Sequence, residues 1–517
     1  MEAAMASVKK RVPRKNEKTA VLLITPETGR LPEKMGSLAS CISGKSGGLG
    51  EVIAALCGGL TERGIECHMA TLNLPRRFQR ESHIDDDHWQ RLRHCVDPEK
   101  VHLITSSVFA DLESPYAGDP IRNAVEFQKE IVNQTIVRVR AMNGGRLIVH
   151  SHDWMTGGVI AAYARMRGCP VLHTVHNVHN AHIPLDKFSG VDMERLRPYL
   201  YLSEDQGRTC LDSQATAIKN ASVVSFVGHR FLREIIDGDL RNDLPISPYI
   251  REEIRLKEQR GQTATVINAP APEIYPERCP HLARNYGPED DILAAKRDNL
   301  VEFQKRTGLN IDPGAILLYW PSRLDPSQKG IHLLEEIAQG FVIAHGDVQI
   351  AIVGDGVGSD RTHEEICGRI ACASNGRIAY QRFQEPLSML GFAAASDVFG
   401  ASLYEPCGQI DQVGNLYGAT ATNRDTGGYH DKIREMTLQT DGASEDRGNG
   451  FLFRDYDTGG LWYGLARSVA FHRRPPEFRE AQIRRIMRRT GEKHCLEGMI
   501  DGYMTLYERI NDGRPLV

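Results

Sequence analysis

The sequence predicts an α/β protein with two domains, each built on a parallel β-sheet. Short apolar runs such as "AVLLIT", "RLIVHSHD", "AILLYWPSRLD" and "VQIAIVGDG" alternate with longer amphipathic stretches, which is the pattern of repeated βαβ units. At 517 residues the chain exceeds the size of one ordinary hydrophobic core. Because ligands bind at the carboxyl ends of parallel strands, two such domains that face each other predict a central cleft.

A Pro-rich, charged stretch divides the predicted elements into two groups. It reads "APEIYPERCPHLARNYGPEDD", lies between the strands "ATVINAP" and "AILLYW", and is typical of a linker. We expect an N-terminal domain over residues 18–275, a C-terminal domain over 290–490 and a final segment over 491–517. Residues 1–17 are basic without an apolar core, which predicts a flexible tail. A nucleic-acid-binding arm is the alternative for this tail.

Composition and charge exclude several classes of protein. The chain is 41% hydrophobic and 25% charged, which excludes disordered, collagen-like and disulfide-scaffold proteins. A net charge of −4 gives no general attraction to nucleic acid. The 11 cysteines include no C-x-x-C pair, which favours free thiols in a reducing compartment, here the cytoplasm. No apolar run reaches the roughly 18 residues of a membrane span, so no membrane partner is expected.

A glycine-rich turn, "SGKSGGLGEV", follows the first predicted strand and precedes a predicted helix. Its glycines, Gly47 and Gly48 among them, allow a ligand to approach the backbone closely, and Lys45 supplies a positive charge. The pattern is not a nucleoside-triphosphate P-loop, because Ala39 stands where that motif requires glycine. The sequence therefore predicts a phosphate-binding turn, and a tight turn with a surface lysine is the alternative.

Histidines cluster after two predicted strands. "VHSHDWMTGG" places His152, Asp153 and Trp154 at a strand end, where site residues collect in this architecture, although a lone His–Asp pair is more often structural. "HTVHNVHNAH" carries His176 and Asn177, with histidines repeating every three residues. Histidine is a common metal ligand, but no Cys or carboxylate accompanies these histidines at ligand spacing. We expect no metal site.

Two further strand ends carry charged side chains. Arg323 and Lys329 lie in "WPSRLDPSQKG" after the strand "AILLY", and two such cations can hold a diphosphate; a solvated loop is the alternative. Glu405 precedes a Pro-Cys-Gly turn and a predicted helix, where a carboxylate can orient sugar hydroxyls. Asp411, six residues later, is either a second acid or a first-turn helix residue that the helix dipole favours.

Taken in order, the motifs resemble those of bacterial glycogen synthases and plant starch synthases. They are "KSGGLGEV", "HSHDW", "TVHN", "KRDNLVEFQKRTGL", "SRLDPSQKGIHLL", "EPCG", "RDTGGYHD" and "GNGFLF", and the resemblance runs from about "VLLIT" to "MTLYERI". It implies a GT-B fold, in which two Rossmann-like domains face a central cleft. The first domain is then on the acceptor side, the second holds the nucleotide-sugar, and the final helix packs back on the first domain.

The resemblance also implies an activity. It is the retaining transfer of glucose from ADP-glucose to the 4-hydroxyl end of an α-1,4-glucan, in glycogen or starch biosynthesis. The implied partners are the nucleotide-sugar and the glucan, without a cofactor, a metal ion or a nucleic acid. Neither the residues nor the resemblance indicates an oligomeric state.

Residue by residue, the resemblance implies three sets of site residues. The catalytic residues are His152, Arg323, Lys329 and Glu405. The donor-binding residues are Lys45, Gly47, Gly48, Cys407, Gly408, Gln409 and Ile410. The supporting residues are Asp153, Trp154, His176 and Asn177.

The chain departs from the family pattern after "EPCG". The synthases usually continue "LTQLY", whereas this chain continues "QIDQV" and places Asp411 near the expected diphosphate. A related group, which includes sucrose-type and trehalose-type synthases, carries a second Glu eight residues after the first, where this chain has Val413. Two alternatives follow: a GT-B enzyme that uses UDP-glucose or a small sugar acceptor, and a catalytically weak glucan-binding homologue.

Overall fold

The computed structural model describes residues 19–36, 39–44, 47–92, 100–238, 246–358, 360–436 and 447–516. The predicted basic tail, residues 1–17, lies outside the described residues, and so does Lys45.

Strands and helices alternate along the described chain as the sequence predicts. The strands are β1 (Ala20–Ile24), β2 (Cys67–Leu72), β3 (Val101–Ile104), β4 (Leu147–His152), β5 (Val171–Val175), β6 (His182–Pro184), β7 (Leu202–Asp205), β8 (Arg208–Asp212), β9 (Val223–Phe226), β10 (Thr263–Thr265), β11 (Ile316–Trp320), β12 (Val348–Val353), β13 (Ile378–Gln381), β14 (Asp397–Gly400), β15 (Thr420–Arg424) and β16 (Gly450–Phe453).

The α-helices up to the predicted linker are α1 (Gly48–Glu62), α2 (Pro75–Ser82), α3 (Asp86–Leu92), α4 (Pro120–Glu130), α5 (Ile136–Met142), α6 (Asp153–Thr156), α7 (Gly158–Met166), α8 (Met193–Leu196), α9 (Ser213–Asn220), α10 (His229–Asp237) and α11 (Pro248–Gln259). Those after it are α12 (Ile292–Thr307), α13 (Ile331–Ala344), α14 (Thr362–Cys372), α15 (Glu385–Ala394), α16 (Ile410–Leu416), α17 (Gly427–Lys432), α18 (Thr458–His472), α19 (Pro476–Lys493) and α20 (Leu496–Ile510).

The strands of the described ranges form three sheets. The first has the order β10-β9-β5-β4-β1-β2-β3, the second β13-β12-β11-β14-β15-β16, and the third, β6-β8-β7, is small and antiparallel. Every pair in the second sheet is parallel. Its order, written from its first strand, is 3-2-1-4-5-6, which is the dinucleotide-binding order. The predicted α/β class with parallel sheets is therefore confirmed.

The second sheet is buried on both faces. Leu317 and Tyr319 of β11 belong to one buried apolar cluster, and the alternate residues Ile316, Leu318 and Trp320 belong to another. Side chains of a strand point to opposite faces in turn, so helices cover both faces, as parallel sheets require. This explains why β11 is a continuous apolar run and does not alternate with polar residues.

The chain separates into two compact units. The first comprises Met1–His173, Asn180–Val223 and Met504–Val517, and the second comprises Thr174–His179 and Val224–Tyr503. Within the first unit, the hydroxyl oxygen of Tyr507, which lies near the C-terminus, is 2.7 Å from Nδ1 of His150. The domain boundaries at 275, 290 and 490 stay predictions.

The stretch predicted to be a linker is part of the second unit and contributes to its core. Tyr286 in this stretch is 1% exposed, belongs to a buried cluster of that unit, and donates its hydroxyl hydrogen to the carbonyl of Tyr417 at 2.7 Å. Burial of a tyrosine ring stabilises a segment that Pro and charged residues otherwise mark as a loop.

Asp397 at the start of β14 is a buried carboxyl in the second unit. It accepts hydrogen bonds from Thr420 at 2.5 Å, Thr422 at 3.0 Å and Ser468 at 2.7 Å. Burial raises its pKa to about 7, against the opposing effect of these hydroxyls. The folded state therefore favours the protonated carboxyl, and the stability that this proton contributes is lost as the pH rises from about 4 to about 7.

The variant Asp397→Asn is expected to gain stability relative to the wild type across that pH range, because asparagine does not ionise. Between pH 4 and pH 8, the free energy of unfolding of the variant should rise by about 4 kcal/mol relative to that of the wild type. The measurement is the thermal midpoint of both proteins at each pH. Asp298→Asn, at a carboxylate that is 53% exposed, is the control and should follow the wild type at both pH values. If the thermal midpoints of the wild type and Asp397→Asn differ by the same amount at pH 4 and pH 8, the expectation is contradicted.

Candidate active site

The loops after β11 and β14 meet at the point where the strand order of the second sheet reverses. These two strands are neighbours in the sheet, although β12 and β13 lie between them in sequence. Crevices at such a switch point bind ligands in open parallel sheets. Arg323 and Lys329 belong to the first loop and Glu405 to the second, so three of the four predicted catalytic residues lie at one edge of one sheet.

Asp325 organises the loop after β11. Its Oδ1 accepts from the amides of Ser327 at 2.9 Å and Gln328 at 3.0 Å, and its carbonyl accepts from the amides of Lys329 at 2.9 Å and Gly330 at 3.0 Å. Because these bonds close the loop on itself, the position of Lys329 is fixed relative to β11.

Gly330 and Gln328 fasten this loop to the loop after β14. Gly330 has a φ of +72°, and a Cβ atom there would lie 2.3 Å from the carbonyl oxygen of Ala401. Only glycine fits such a backbone and such an approach. The carbonyl of Gln328 accepts from the amide of Leu403 at 2.8 Å. The two loops are thus held together by their backbones.

Lys329 and Glu405 form a partly buried ion pair. Nζ of Lys329 lies 2.5 Å from Oε2 of Glu405, and the side chains are 16% and 9% exposed. The hydroxyl of Ser402 donates to the same oxygen at 2.9 Å. Burial acts to raise the pKa of the Glu405 carboxyl, but the Lys329 ammonium and the Ser402 hydroxyl outweigh it and hold that pKa below its usual value. Glu405 is therefore an ionised carboxylate at neutral pH.

Arg323 lies in the same loop as Lys329 but is more open to solvent. Its side chain is 54% exposed; Nη2 donates to Gln328 Oε1 at 3.1 Å, and Nη1 lies 3.7 Å from Asp325 Oδ2. His179 is close enough that, after burial, the Arg323 charge contributes to lowering the pKa of its imidazole. A half-exposed guanidinium with one weak ion pair is available to bind an anion.

Two residues after β5 lie in the second unit with this site. Asn177 lies near the hydroxyl of Tyr404: burial raises the pKa of Tyr404 to about 12, and Asn177 opposes the rise. His176, directly after β5, is half-buried. The structure therefore brings Asn177 close to the residue that precedes Glu405.

The segment Glu405–Gly408 is packed closely by three glycines. A Cβ atom added at Gly427 would lie 1.8 Å from the carbonyl oxygen of Glu405. A Cβ atom at Gly428 would lie 1.6 Å from the carbonyl oxygen of Cys407, and one at Gly228 would lie 2.4 Å from that of Pro406. The amide of Gly428 donates to the Glu405 carbonyl at 2.8 Å. The "DTGG" motif therefore sets the path of the "EPCG" backbone.

The variant Gly428→Ala is expected to displace this segment, because the added methyl group would overlap the Cys407 carbonyl. We expect a destabilisation of roughly 3 kcal/mol, together with loss of ligand binding at the site, measured by thermal unfolding and titration calorimetry. Gly368→Ala is the matched control, because no atom lies within 4 Å of a Cβ in that helix; it should be neutral or stabilise the helix. Equal effects of both changes would contradict this packing.

The remaining predicted donor-binding residues follow Glu405 in sequence. Burial raises the pKa of the Cys407 thiol to about 11, so it is not a thiolate nucleophile. Gly408 has a φ of +67°, a left-handed conformation that suits glycine. Gln409 and Ile410 are half-buried, and Ile410 begins α16 as the sequence predicts.

Asp411 is held inside the second unit and is not exposed at the site. Its Oδ1 lies 2.8 Å from Nζ of Lys432, with side-chain exposures of 1% for Asp411 and 2% for Lys432. Burial raises the pKa of Asp411 to about 6, and Lys432 opposes that rise. The negative charge near the predicted diphosphate site is thus compensated by a cation that the sequence analysis did not single out.

His152 and its neighbours lie in the first unit at the carboxyl end of β4. His152 is buried; its amide donates to Thr156 Oγ1 at 2.6 Å, and the Thr156 hydroxyl donates to its carbonyl at 2.7 Å. Asp153 has a φ of +56°, a strained conformation for a residue other than glycine and one that is common at functional sites. The carbonyl of Trp154 accepts from Ser213 Oγ at 2.6 Å.

The glycine-rich turn is anchored by Glu27, which sequence analysis missed. The amide of Gly47 donates to Glu27 Oε2 at 2.8 Å, and the hydroxyl of Tyr116 donates to Oε1 at 3.0 Å. Gly48 is the first residue of α1. Glu27 lies three residues after the end of β1, and this position near a strand end, where site residues collect, was the available signal.

The structure thus brings together Arg323, Lys329, Glu405 and Asn177 in the second unit, while His152, Asp153, Trp154, Gly47 and Gly48 lie in the first. Their roles stay predictions. Within the ranges that the structure describes, no group of three or more His, Cys, Asp or Glu side chains could hold a metal ion. No helix in these ranges is sufficiently long and apolar to cross a bilayer.

Sequence and structure comparisons point to one family. Residues 37–244 match the family model of the starch synthase catalytic domain. The chain is 26% identical over 342 residues to a glycogen synthase of Desulforudis audaxviator, which covers 64% of this chain and 63% of that protein. It is 25% identical over 401 residues to a glycogen synthase of Pseudothermotoga lettingae, covering 72% and 74% respectively.

A solved structure extends the likeness over the whole fold. The catalytic domain of starch synthase IV from Arabidopsis thaliana superimposes with a TM-score of 0.75 at 19% identity, covering 96% of this chain and 100% of that one. The resemblance and the fold class predicted from the motifs are confirmed. The chain is thus similar to glycogen synthases and starch synthases, which are glycosyltransferases, and its fold is the GT-B fold of those enzymes.

Proposed function

We propose that this protein is a retaining glucosyltransferase that moves glucose from ADP-glucose to the 4-hydroxyl end of an α-1,4-glucan. The observation that carries the proposal is the Lys329–Glu405 pair, which lies beside Arg323 at the switch point of the second sheet. The related starch synthase IV domain was solved bound to ADP and acarbose, which supports an adenine nucleotide as the donor and an α-glucan as the acceptor.

Arg323 and Lys329 bind the donor's diphosphate and stabilise its departure. The bond between the anomeric carbon and the phosphate oxygen breaks with the electron pair going to the diphosphate, which gains negative charge. Fixed cations that meet this charge stabilise the transition state more than the ground state. The partly exposed Arg323 supplies the forked donor, and Lys329, held by its own loop, supplies a point charge.

Glu405 acts as a fixed carboxylate beside the donor sugar. It is ionised because Lys329 and Ser402 hold its charge, so it can accept hydrogen bonds from sugar hydroxyls and balance the positive charge that develops on the sugar ring. The acceptor hydroxyl attacks the anomeric carbon from the side of the leaving diphosphate and gives its proton to an oxygen of that diphosphate, and attack from this side retains the anomeric configuration. Val413 stands where the sucrose-type and trehalose-type group has a second Glu. This difference favours glucan elongation over the activities of that group.

His152, at the end of β4, is included among the catalytic residues of this proposal because the motif that carries it resembles that of the synthases. Its backbone is locked by Thr156, and the strained Asp153 follows it, so its position is fixed before substrate binds. The proposal includes no cofactor or metal ion, places the enzyme in the cytoplasm and makes an α-glucan its macromolecular partner.

The test offers ADP-glucose and UDP-glucose in parallel to the purified protein, with glycogen as primer. We expect elongation from ADP-glucose, with release of ADP in equal amount and formation of α-1,4 linkages. Transfer from UDP-glucose alone, or to a small sugar but not to glycogen, would favour the alternative GT-B activities. Glycogen binding without transfer from either donor would identify a non-catalytic glucan-binding homologue and contradict the proposal.

A further inference from the structure

The ammonium group of Lys432, the last residue of α17, has two oxygen partners among the described residues of the second unit. It donates to the carbonyl oxygen of Gly408 and lies 2.8 Å from Oδ1 of Asp411. Lys432 and Asp411 are both almost completely buried, with side-chain exposures of 2% and 1%. Burial removes the hydration of a lysine ammonium group, and here the two oxygens that Lys432 binds replace that hydration.

Gly408 lies three residues after Glu405, and α17 holds this segment at both ends. At the first end, the amide of Gly428 donates to the Glu405 carbonyl at 2.8 Å. At the other end, Lys432 binds the Gly408 carbonyl. Between them, the ring of Tyr429 packs on Gly408, where a Cβ atom would lie 2.4 Å from Cε1 of the ring. One short helix therefore sets the backbone from Glu405 to Gly408.

The same helix reaches the carboxylate of Glu405. Tyr429 is buried, and the negative charge of Glu405 is near enough to contribute, after burial, to raising the pKa of its hydroxyl. Glu405 in turn binds Lys329 at 2.5 Å. The positive charge of Lys432 therefore belongs to a chain of contacts that ends at the proposed donor site.

The other partner of Lys432, Asp411, is fixed by the helix that carries it. On α16, Gln412 donates to the carbonyl of Asn268 at 3.0 Å, and Asn415 donates to the carbonyl of Ala419 at 2.9 Å. Because α16 is attached at several points, Asp411 provides a stationary anchor for the Lys432 ammonium. Removal of Asp411 alone leaves the bond from Lys432 to Gly408 in place.

We propose that Lys432 is a positioning residue for glucosyl transfer, which holds the Glu405–Gly408 segment in its catalytic path through the Gly408 carbonyl while Asp411 balances its charge. This inference rests on the proposed function. Lys432 touches neither donor nor acceptor and acts through the backbone of the segment that carries Glu405. Its loss is expected to lower kcat more than it changes the KM for the donor.

The test compares Lys432→Met, Asp411→Asn and the double variant with wild type in the transfer assay and in thermal unfolding. Lys432→Met should lower kcat by about 10- to 100-fold, as expected for a small displacement of a catalytic group, with the donor KM within about threefold of wild type. Asp411→Asn should keep most of kcat, because Lys432 still binds Gly408. The double variant removes both buried charges, so it should regain thermal stability but not kcat.

Recovery of kcat together with stability in the double variant would show a merely structural role and overturn the proposal. A kcat within threefold of wild type for Lys432→Met would overturn it as well, without affecting the proposed function. Absence of transfer by the wild type itself would overturn both. The wild-type measurement thus separates failure of the function from failure of this inference.

Discussion

Lys329→Met is expected to lower the turnover number by roughly 100- to 1,000-fold, the usual effect of removing one fixed group that stabilises developing negative charge. The lysine is held by the closed loop after β11, and its ammonium lies 2.5 Å from Glu405. Methionine has a similar length and shape but no charge, so the diphosphate loses a cation while the packing remains. The measurement is steady-state transfer from ADP-glucose to glycogen.

The change should also destabilise the protein, because it leaves Glu405 without its cation in a mostly buried position. Breaking a buried pair from one side costs about 3 kcal/mol. The double variant Lys329→Met/Glu405→Gln removes both charges and should recover most of that stability while remaining inactive. Transfer activity that recovers in parallel with stability would show that the pair serves the fold and not the reaction.

Arg323→Ala is expected to lower kcat by a similar factor, roughly 100- to 1,000-fold, but to leave stability nearly unchanged. The guanidinium is 54% exposed, and its ion pair with Asp325 is long, at 3.7 Å, so it contributes little to folding. The loss should appear in the binding of donor and of ADP as well as in turnover. Arg323→Lys should restore only part of the activity, since lysine lacks the forked geometry.

The matched control is Arg306→Ala on α12. Arg306 is 47% exposed and pairs with Glu302 at 2.8 Å on the same helix, away from the loops that carry the candidate site. Its replacement should leave both kcat and the thermal midpoint within error of wild type. Full activity of Arg323→Ala, or equal losses in both variants, would refute the role given to Arg323.

The βαβ plan and the positions of the strand-end residues could be predicted from sequence because they depend on local pattern. Continuous apolar runs predicted β11 and β12, and the loops after β11 and β14 carry Arg323 and Glu405 as expected. The composition of the predicted linker indicates a loop but gives no sign that Tyr286 is buried.

The contacts that support the site could not be predicted, because they join residues far apart in sequence. Lys432 lies 21 residues after Asp411, and Glu27 lies 20 residues before Gly47. No periodicity links such positions; each pair forms only when helices and strand ends pack together. For Asp411 the sequence showed an acid near the expected phosphates, but its compensation by Lys432 is a tertiary contact.

The most direct test of the account measures the binding of ADP and AMP to the purified protein by titration calorimetry. The central claim is that Arg323 and Lys329 recognise a diphosphate, so ADP should bind at least about tenfold more tightly than AMP, a difference of about 1.4 kcal/mol. This preference should largely disappear in Arg323→Ala. Equal affinities of the wild type for ADP and AMP, or an unchanged preference in the variant, would contradict the account.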